Sequence, residues 1–199
     1  MMAIMSSAPN RKQLSHERIV EVASRAIRRA GTRGVGVADM MKEAGLTHGG
    51  FYAHFESRDA LVAEALQRAW CDTSAALEGA IANRVARGDS RFTALVGVYL
   101  HDSHLERIED GCVVAALASE MHRQEPPVRD EARRRVAALV DLVASALPPG
   151  DNRAQAECAA GALVGALQLA RVLGGKPGRE ALARAREQIV ATFEPVSRR

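Results

Sequence analysis

Aromatic side chains are scarce in this chain, seven among 199 residues, and cysteines are scarcer, at three. Cys71, Cys112 and Cys158 are odd in number and lack CxxC spacing, which excludes a disulfide framework and a structural zinc cluster. Long apolar runs are missing too. The longest without a charge, Cys158 to Leu167, stops at ten residues, short of the roughly 18 that a membrane-spanning helix needs, so no integral membrane protein is expected. The opening MMAIMSSAPN carries no basic residue and only five apolar residues in a row, below the core of a signal peptide, and a cytoplasmic location is expected. No run of valine and isoleucine alternates with period two, which removes the usual signature of a strand. No phosphate loop, cofactor fingerprint or nucleophile with its base can be assembled, so neither an enzyme nor a bound cofactor is expected.

What remains is 47% hydrophobic and 26% charged, enough for a sizeable core. The formal charge of +3 is unevenly spread. Residues 1 to 58 carry nine Lys and Arg against five Asp and Glu, whereas residues 59 to 199 carry 18 against 19. Such an asymmetry predicts a basic module for a polyanion beside a neutral module with another task.

Apolar residues recur three and four apart from about residue 14 onward, so the chain is expected to be all-α. Residues 1 to 12 lack periodicity and are expected to form a flexible basic arm. Ser15 is placed to cap a first helix with the inner stripe Ile19, Val22, Ala23, Ala26 and Ile27, closed by Gly31. A short helix fits Val37 to Ala44, from Gly36 to Gly45, and a third starts at Thr47 and reaches about His54. Beyond Ser57 the breaks predict helices near 58 to 86, 91 to 109, 112 to 124, 128 to 147, 152 to 173 and 179 to 193.

The turn Ala44, Gly45, Leu46, Thr47 between two short helices has the make-up of a helix-turn-helix, about residues 36 to 55. Glycine allows the positive φ at the corner, Leu46 fills the space between the helices, and Thr47 is placed as a cap. The helix that follows runs Thr47, His48, Gly49, Gly50, Phe51, Tyr52, Ala53, His54, Phe55. Two adjacent glycines cost roughly 1 kcal/mol each against alanine in a helix interior, a cost accounted for if another surface must approach the backbone closely. Phe51 and Phe55 share one face at i, i+4 and belong to the core; Tyr52 points elsewhere and is free, with His54 and Arg58, to meet a phosphate. A plain three-helix bundle with a solvated basic face would explain neither the glycine pair nor this register.

The run GVADMMKEAGLTHGGFYAHFESRDALVAEAL resembles the DNA-binding domain of the TetR family of bacterial transcriptional regulators, through Gly45, the Tyr52-x-His54 pair and Arg58. The resemblance covers residues 13 to 73 and departs at Gly36, where the family usually has Ser or Thr. It implies an N-terminal helix-turn-helix domain and a larger C-terminal domain, residues 74 to 199, that binds a small-molecule effector and dimerises. By position, Thr47, His48, Gly49 and Gly50 would face the bases, and Tyr52, His54 and Arg58 the phosphates. The helices near 152 to 173 and 179 to 193 would pair with their twins in a homodimer. The function implied is a repressor on double-stranded operator DNA, a pseudo-palindrome with half-sites about one turn apart, released by the effector.

The C-terminal residues themselves are less specific. Small residues Ala159, Gly161, Ala162, Gly165 and Ala166 suit a close helix contact, between subunits or within one. Cys112, after Gly111, stands where a helix start would activate a thiol, as in a sensor of oxidants or electrophiles; the surrounding CVVAALA equally suits burial. His101 and His104 at i, i+3 admit an alternative, a small metal or thiol-based sensor or enzyme using both with Cys112, but a firm third ligand is missing. The mixed run 129 to 136 is expected to be a solvated helix face, and Trp70 and Tyr99 to be core.

Overall fold

The computed structural model describes residues 10 to 150 and 153 to 194, and helices alone account for its regular structure among them. α1, Arg11–Ala30, starts earlier than expected: the side chain of Asn10, not Ser15, accepts the amide of Gln13 at 2.9 Å. Arg11 and Lys12 are therefore helical rather than part of an arm, and residues 1 to 9 lie outside the described chain. The expected stripe of α1 is buried at Ile19, Ala23, Ala26 and Ile27, and the helix stops at Gly31.

α2, Val37–Glu43, is followed by a turn and by a 3₁₀ helix, His48–Ala53, where an α-helix was expected. α3, Arg58–Val85, is capped by Ser57 and packs against α1 at one end and against later helices at the other. Its buried residues Leu61, Ala65, Leu66 and Ala69 continue into Leu77 and Ile81, so one unbroken helix joins both halves of the molecule.

The helix expected over 91 to 109 is broken. α4, Arg91–Tyr99, ends at Leu100; α5, Asp102–Glu106, and a 3₁₀ turn, Ile108–Asp110, follow. A break inside a buried segment frees carbonyls that must find donors. Here His104 Nδ1 donates to Tyr99 O at 2.7 Å, Arg186 to Leu100 O at 2.6 Å, and Arg171 to His104 O at 3.0 Å. Two of the three donors, Arg186 and Arg171, are remote in sequence, so nothing in local periodicity signals the break.

α6, Val113–Met121, and α7, Pro126–Ala146, follow, with Pro126 and Pro127 in the first turn of α7, where no amide donor is needed. α8, Arg153–Leu173, and α9, Gly175–Phe193, pack on one another, and α8 also packs on α6 and α7. In the run 129 to 136, Glu131 is buried and pairs with Arg134 and Arg135, so that face is only partly solvated. Among the described residues α8 is also long and apolar enough to cross a membrane, with mean hydropathy 1.4 over its best window, beyond what the ten-residue run suggested. Its inner face, Ala156, Ala159, Leu163, Leu167 and Ala170, is core, as are Tyr99 and, in part, Trp70.

Candidate nucleic-acid interface

The corner of the helix-turn-helix is built as its residues demand. Gly45 has φ of +72°, its amide bonded to Lys42 O, and Leu46 donates to Met41 O at 2.9 Å. Leu46 is half-buried between the elements it joins. Thr47 begins the next element without a side-chain cap; its carbonyl accepts Gly50 N–H at 3.0 Å. A single 3₁₀ turn suits a segment in which two glycines weaken α-helical propensity.

Beneath this segment lie Phe51 and Phe55, 2% and 3% exposed, their rings 5.5 Å apart. His16 of α1 stacks on Phe55 at 4.5 Å, and its Nε2 is 2.7 Å from Glu64 of α3. The short helix is thus pinned from below by α1 and α3. On its outer side Thr47, His48 and Gly49 are exposed, Gly50 is half-exposed, and Tyr52 is 75% exposed.

Neither glycine is required by the protein itself. Both have negative φ. A Cβ on Gly49 would meet nothing within 4 Å, and one on Gly50 would make ordinary contacts, 3.7 Å to Met41 and 3.8 Å to Thr47.

His54 is half-buried, its Nδ1 without a hydrogen-bond partner among the described residues. Burial, then repulsion from His16 and Lys12, lowers its pKa. Arg58 is at the start of α3, and its guanidinium donates to Thr32 O and, at 3.4 Å, to Val35 O. It therefore braces the loop that carries Gly36, which starts α2 without a side-chain cap.

Sequence reasoning missed the joint behind this surface. Thr32, fully buried, donates its amide and hydroxyl to Glu120 Oε2 at 2.9 and 2.7 Å and accepts from Gln124 at 3.0 Å. Arg28, 4% exposed, donates to Ser24 O at 2.9 Å and Gly111 O at 3.1 Å; burial lowers its pKa despite the nearby charge of Asp110 and Asp72. These partners stand 83 and 88 positions apart, and no spacing in the chain marks them.

Two of the histidine and cysteine candidates of the C-terminal half, His104 and Cys112, are built into the packing. His104 donates through Nδ1 to Tyr99 O and so accepts Cys112 N–H at Nε2, 2.8 Å away, which fixes one neutral tautomer. Burial, with a contribution from Arg171, takes its pKa down to about 4. His101 caps α5. Among the described residues no three His, Cys, Asp or Glu side chains stand close enough to hold a metal, which does not favour the metal-sensor alternative. Cys112 is 1% exposed, closed off as its apolar neighbours dictate; Cys71 and Cys158 are exposed.

Comparison with known proteins agrees with this geometry. Residues 19–65 match the family described as bacterial regulatory proteins, tetR family, and residues 88–189 match the tetracyclin repressor-like C-terminal domain. No curated protein is a significant match. A TetR transcriptional regulator from Chloroflexus aurantiacus is similar in structure, at 24% identity and TM-score 0.71, over 91% of this chain and 96% of that one. A TetR family regulator from Agrobacterium tumefaciens shows 22% identity and TM-score 0.70, over 89% and 98%. AibR, solved with isovaleryl coenzyme A and operator DNA, shows 16% identity and TM-score 0.61, over 92% and 100%.

Proposed function

This chain belongs to the tetR family of bacterial regulatory proteins, and on that footing we propose that it is a repressor released from a palindromic operator by a small-molecule effector. The observation that carries the reading is the exposed Gly49 and Gly50 pair, free of any need within the fold, beside an outward Tyr52 and above a buried Phe51 and Phe55. In this reading Thr47, His48, Gly49 and Gly50 face base edges, and Tyr52 and His54 meet phosphates, with Arg58 at the edge of the contact. Only Thr47 and His48 offer side-chain hydrogen bonds to bases, so specificity leans on backbone fit and DNA shape.

Two heads are needed to span two successive major grooves, and the outer face of α8 supports a twofold pairing. Leu169 and Val172 are 68% and 87% exposed, and in line with them Cβ atoms on Gly161 and Gly165 would meet nothing within 4 Å. A subunit contact through α8 and α9 would cover that stripe. The effector must bind the released state better than the DNA-bound one. α3 is the rigid link by which the heads change spacing, and Gly79→Pro within it should abolish the effector response. AibR, crystallised with both isovaleryl coenzyme A and operator DNA, supports a regulator of this kind.

The test is selection of duplex fragments from genomic DNA with purified protein, followed by affinity against salt. A recurrent pseudo-palindrome bound with a steep salt slope supports the reading, and binding without sequence preference would contradict it.

A further inference from the structure

The structure assigns to the groove between α6, α7 and α8 a ligand of definite chemistry: we propose that it binds an amphipathic organic anion, its acid group on Arg129 and its apolar chain along the floor. The groove is open to solvent and spans about 810 Å³, in the range of small-molecule sites. Its middle is apolar, with Val114 and Ala118 from α6, Val136 and Val140 from α7, and Ala160 and Val164 from α8.

The charges at its ends are not equivalent. Arg153 is tied to Asp141 at 2.6 Å and to Glu157 at 3.1 Å, so that end is neutralised. Arg133 pairs with Asp130 at 2.8 Å, both well exposed. Arg129, one helical turn before Arg133 on the same face of α7, has no ion pair or side-chain hydrogen bond among the described residues, and its Nε is buried without a partner. A guanidinium left unpaired at one end of an apolar trough calls for a carboxylate or comparable anion, with which it makes bidentate bonds. A cationic or neutral amphiphile would leave it unpaired.

The groove is also mechanically placed. α6 lines it with Val114, Ala118 and Met121, and through Glu120 it holds the buried Thr32 at the end of α1. A ligand that shifts α6 therefore bears on the joint behind the DNA-facing surface. This places the effector site of the regulator proposed above, and rests on that reading only for the consequence at the operator.

The experiment is calorimetric titration of the full chain with decanoate, decanol and decyltrimethylammonium, the two ions below their micellar concentrations and the alcohol below its solubility limit. Decanoate is expected to bind at least tenfold more tightly than either of the others. Arg129→Met should erase that preference and Arg129→Lys retain most of it, with melting temperature and sedimentation unchanged. Equal binding of all three amphiphiles, no binding, or an unchanged preference in Arg129→Met would overturn the proposal. So would dissociation of the dimer by Arg129→Met, which would make the groove a subunit contact. Operator affinity is then measured with and without decanoate. A tenfold or greater loss supports the effector assignment, and an unchanged affinity with the groove filled overturns it. Failure to bind any operator in the absence of decanoate would instead sink the regulator reading and leave the groove result standing.

Discussion

The N-terminal elements, α1 to the 3₁₀ helix, and the larger body built from α4 to α9 put apolar residues at the same three and four spacing to different uses. In the first, one short segment separates inside from outside cleanly: Phe51 and Phe55 go under, Tyr52 and His48 stay out, and the glycines between carry nothing. In the second, α8 has apolar residues on three sides, facing the core at Leu163 and Leu167, the groove at Ala160 and Val164, and solvent at Leu169 and Val172. A surface that meets a polyanion advertises itself by what it omits. A surface that meets apolar partners looks like core until something shows which side is empty.

That contrast can be broken most forcefully at α8. Leu169→Asp combined with Val172→Asp removes two exposed apolar side chains per subunit and so four per dimer, each contributing about 1.5–3 kcal/mol if buried between subunits, so the dimer should weaken by about ten-thousandfold or more. Because both are exposed, the monomer should melt unchanged. Sedimentation against concentration gives the answer, and a wild-type chain that is already monomeric would remove the twofold from the account.

A second contrast is between histidines. His104 in the body is held neutral with its pKa down to about 4, against about 6.5 in an unfolded chain. Between those values the unfolded state binds more protons, so stability is full above about pH 6.5 and falls as the pH drops towards 4. The loss at pH 4 should be about 3 kcal/mol, and a non-titrating His104→Gln variant should flatten that part of the profile in denaturant melts.

The joint between the halves comes next in size. Glu120→Ala leaves the buried amide and hydroxyl of Thr32 without their acceptor, at about 2 kcal/mol. Calorimetry should show a melting temperature lower by about 4–8 °C. The smallest effect belongs to the outer surface: Tyr52→Phe should leave melting unchanged and weaken operator binding by about fivefold to tenfold per half-site, one phosphate hydrogen bond's worth for each head.

These sizes track what could be read in advance. The boundaries of α3, the stop at Gly31, the corner at Gly45 and the burial of Phe51 and Phe55 all follow from local residues, so spacing was sufficient to find them. The start of α1 was missed by five residues because Asn10, not Ser15, caps it. The break after Tyr99 was not legible, since the groups that satisfy its carbonyls are His104, Arg186 and Arg171, donated from three different helices. The pairing of Thr32 with Glu120 and the unpaired state of Arg129 are likewise facts about what lies opposite, which periodicity does not encode.

The central claim, that the 3₁₀ helix presents bare backbone to a DNA groove, is tested most directly by Gly49→Val measured beside the wild type against the selected operator. With nothing within 4 Å of the new side chain, the variant should fold and melt like the parent, yet bind the operator about a hundredfold more weakly, about 2.7 kcal/mol. Equal affinity of the two proteins for that duplex would contradict the account.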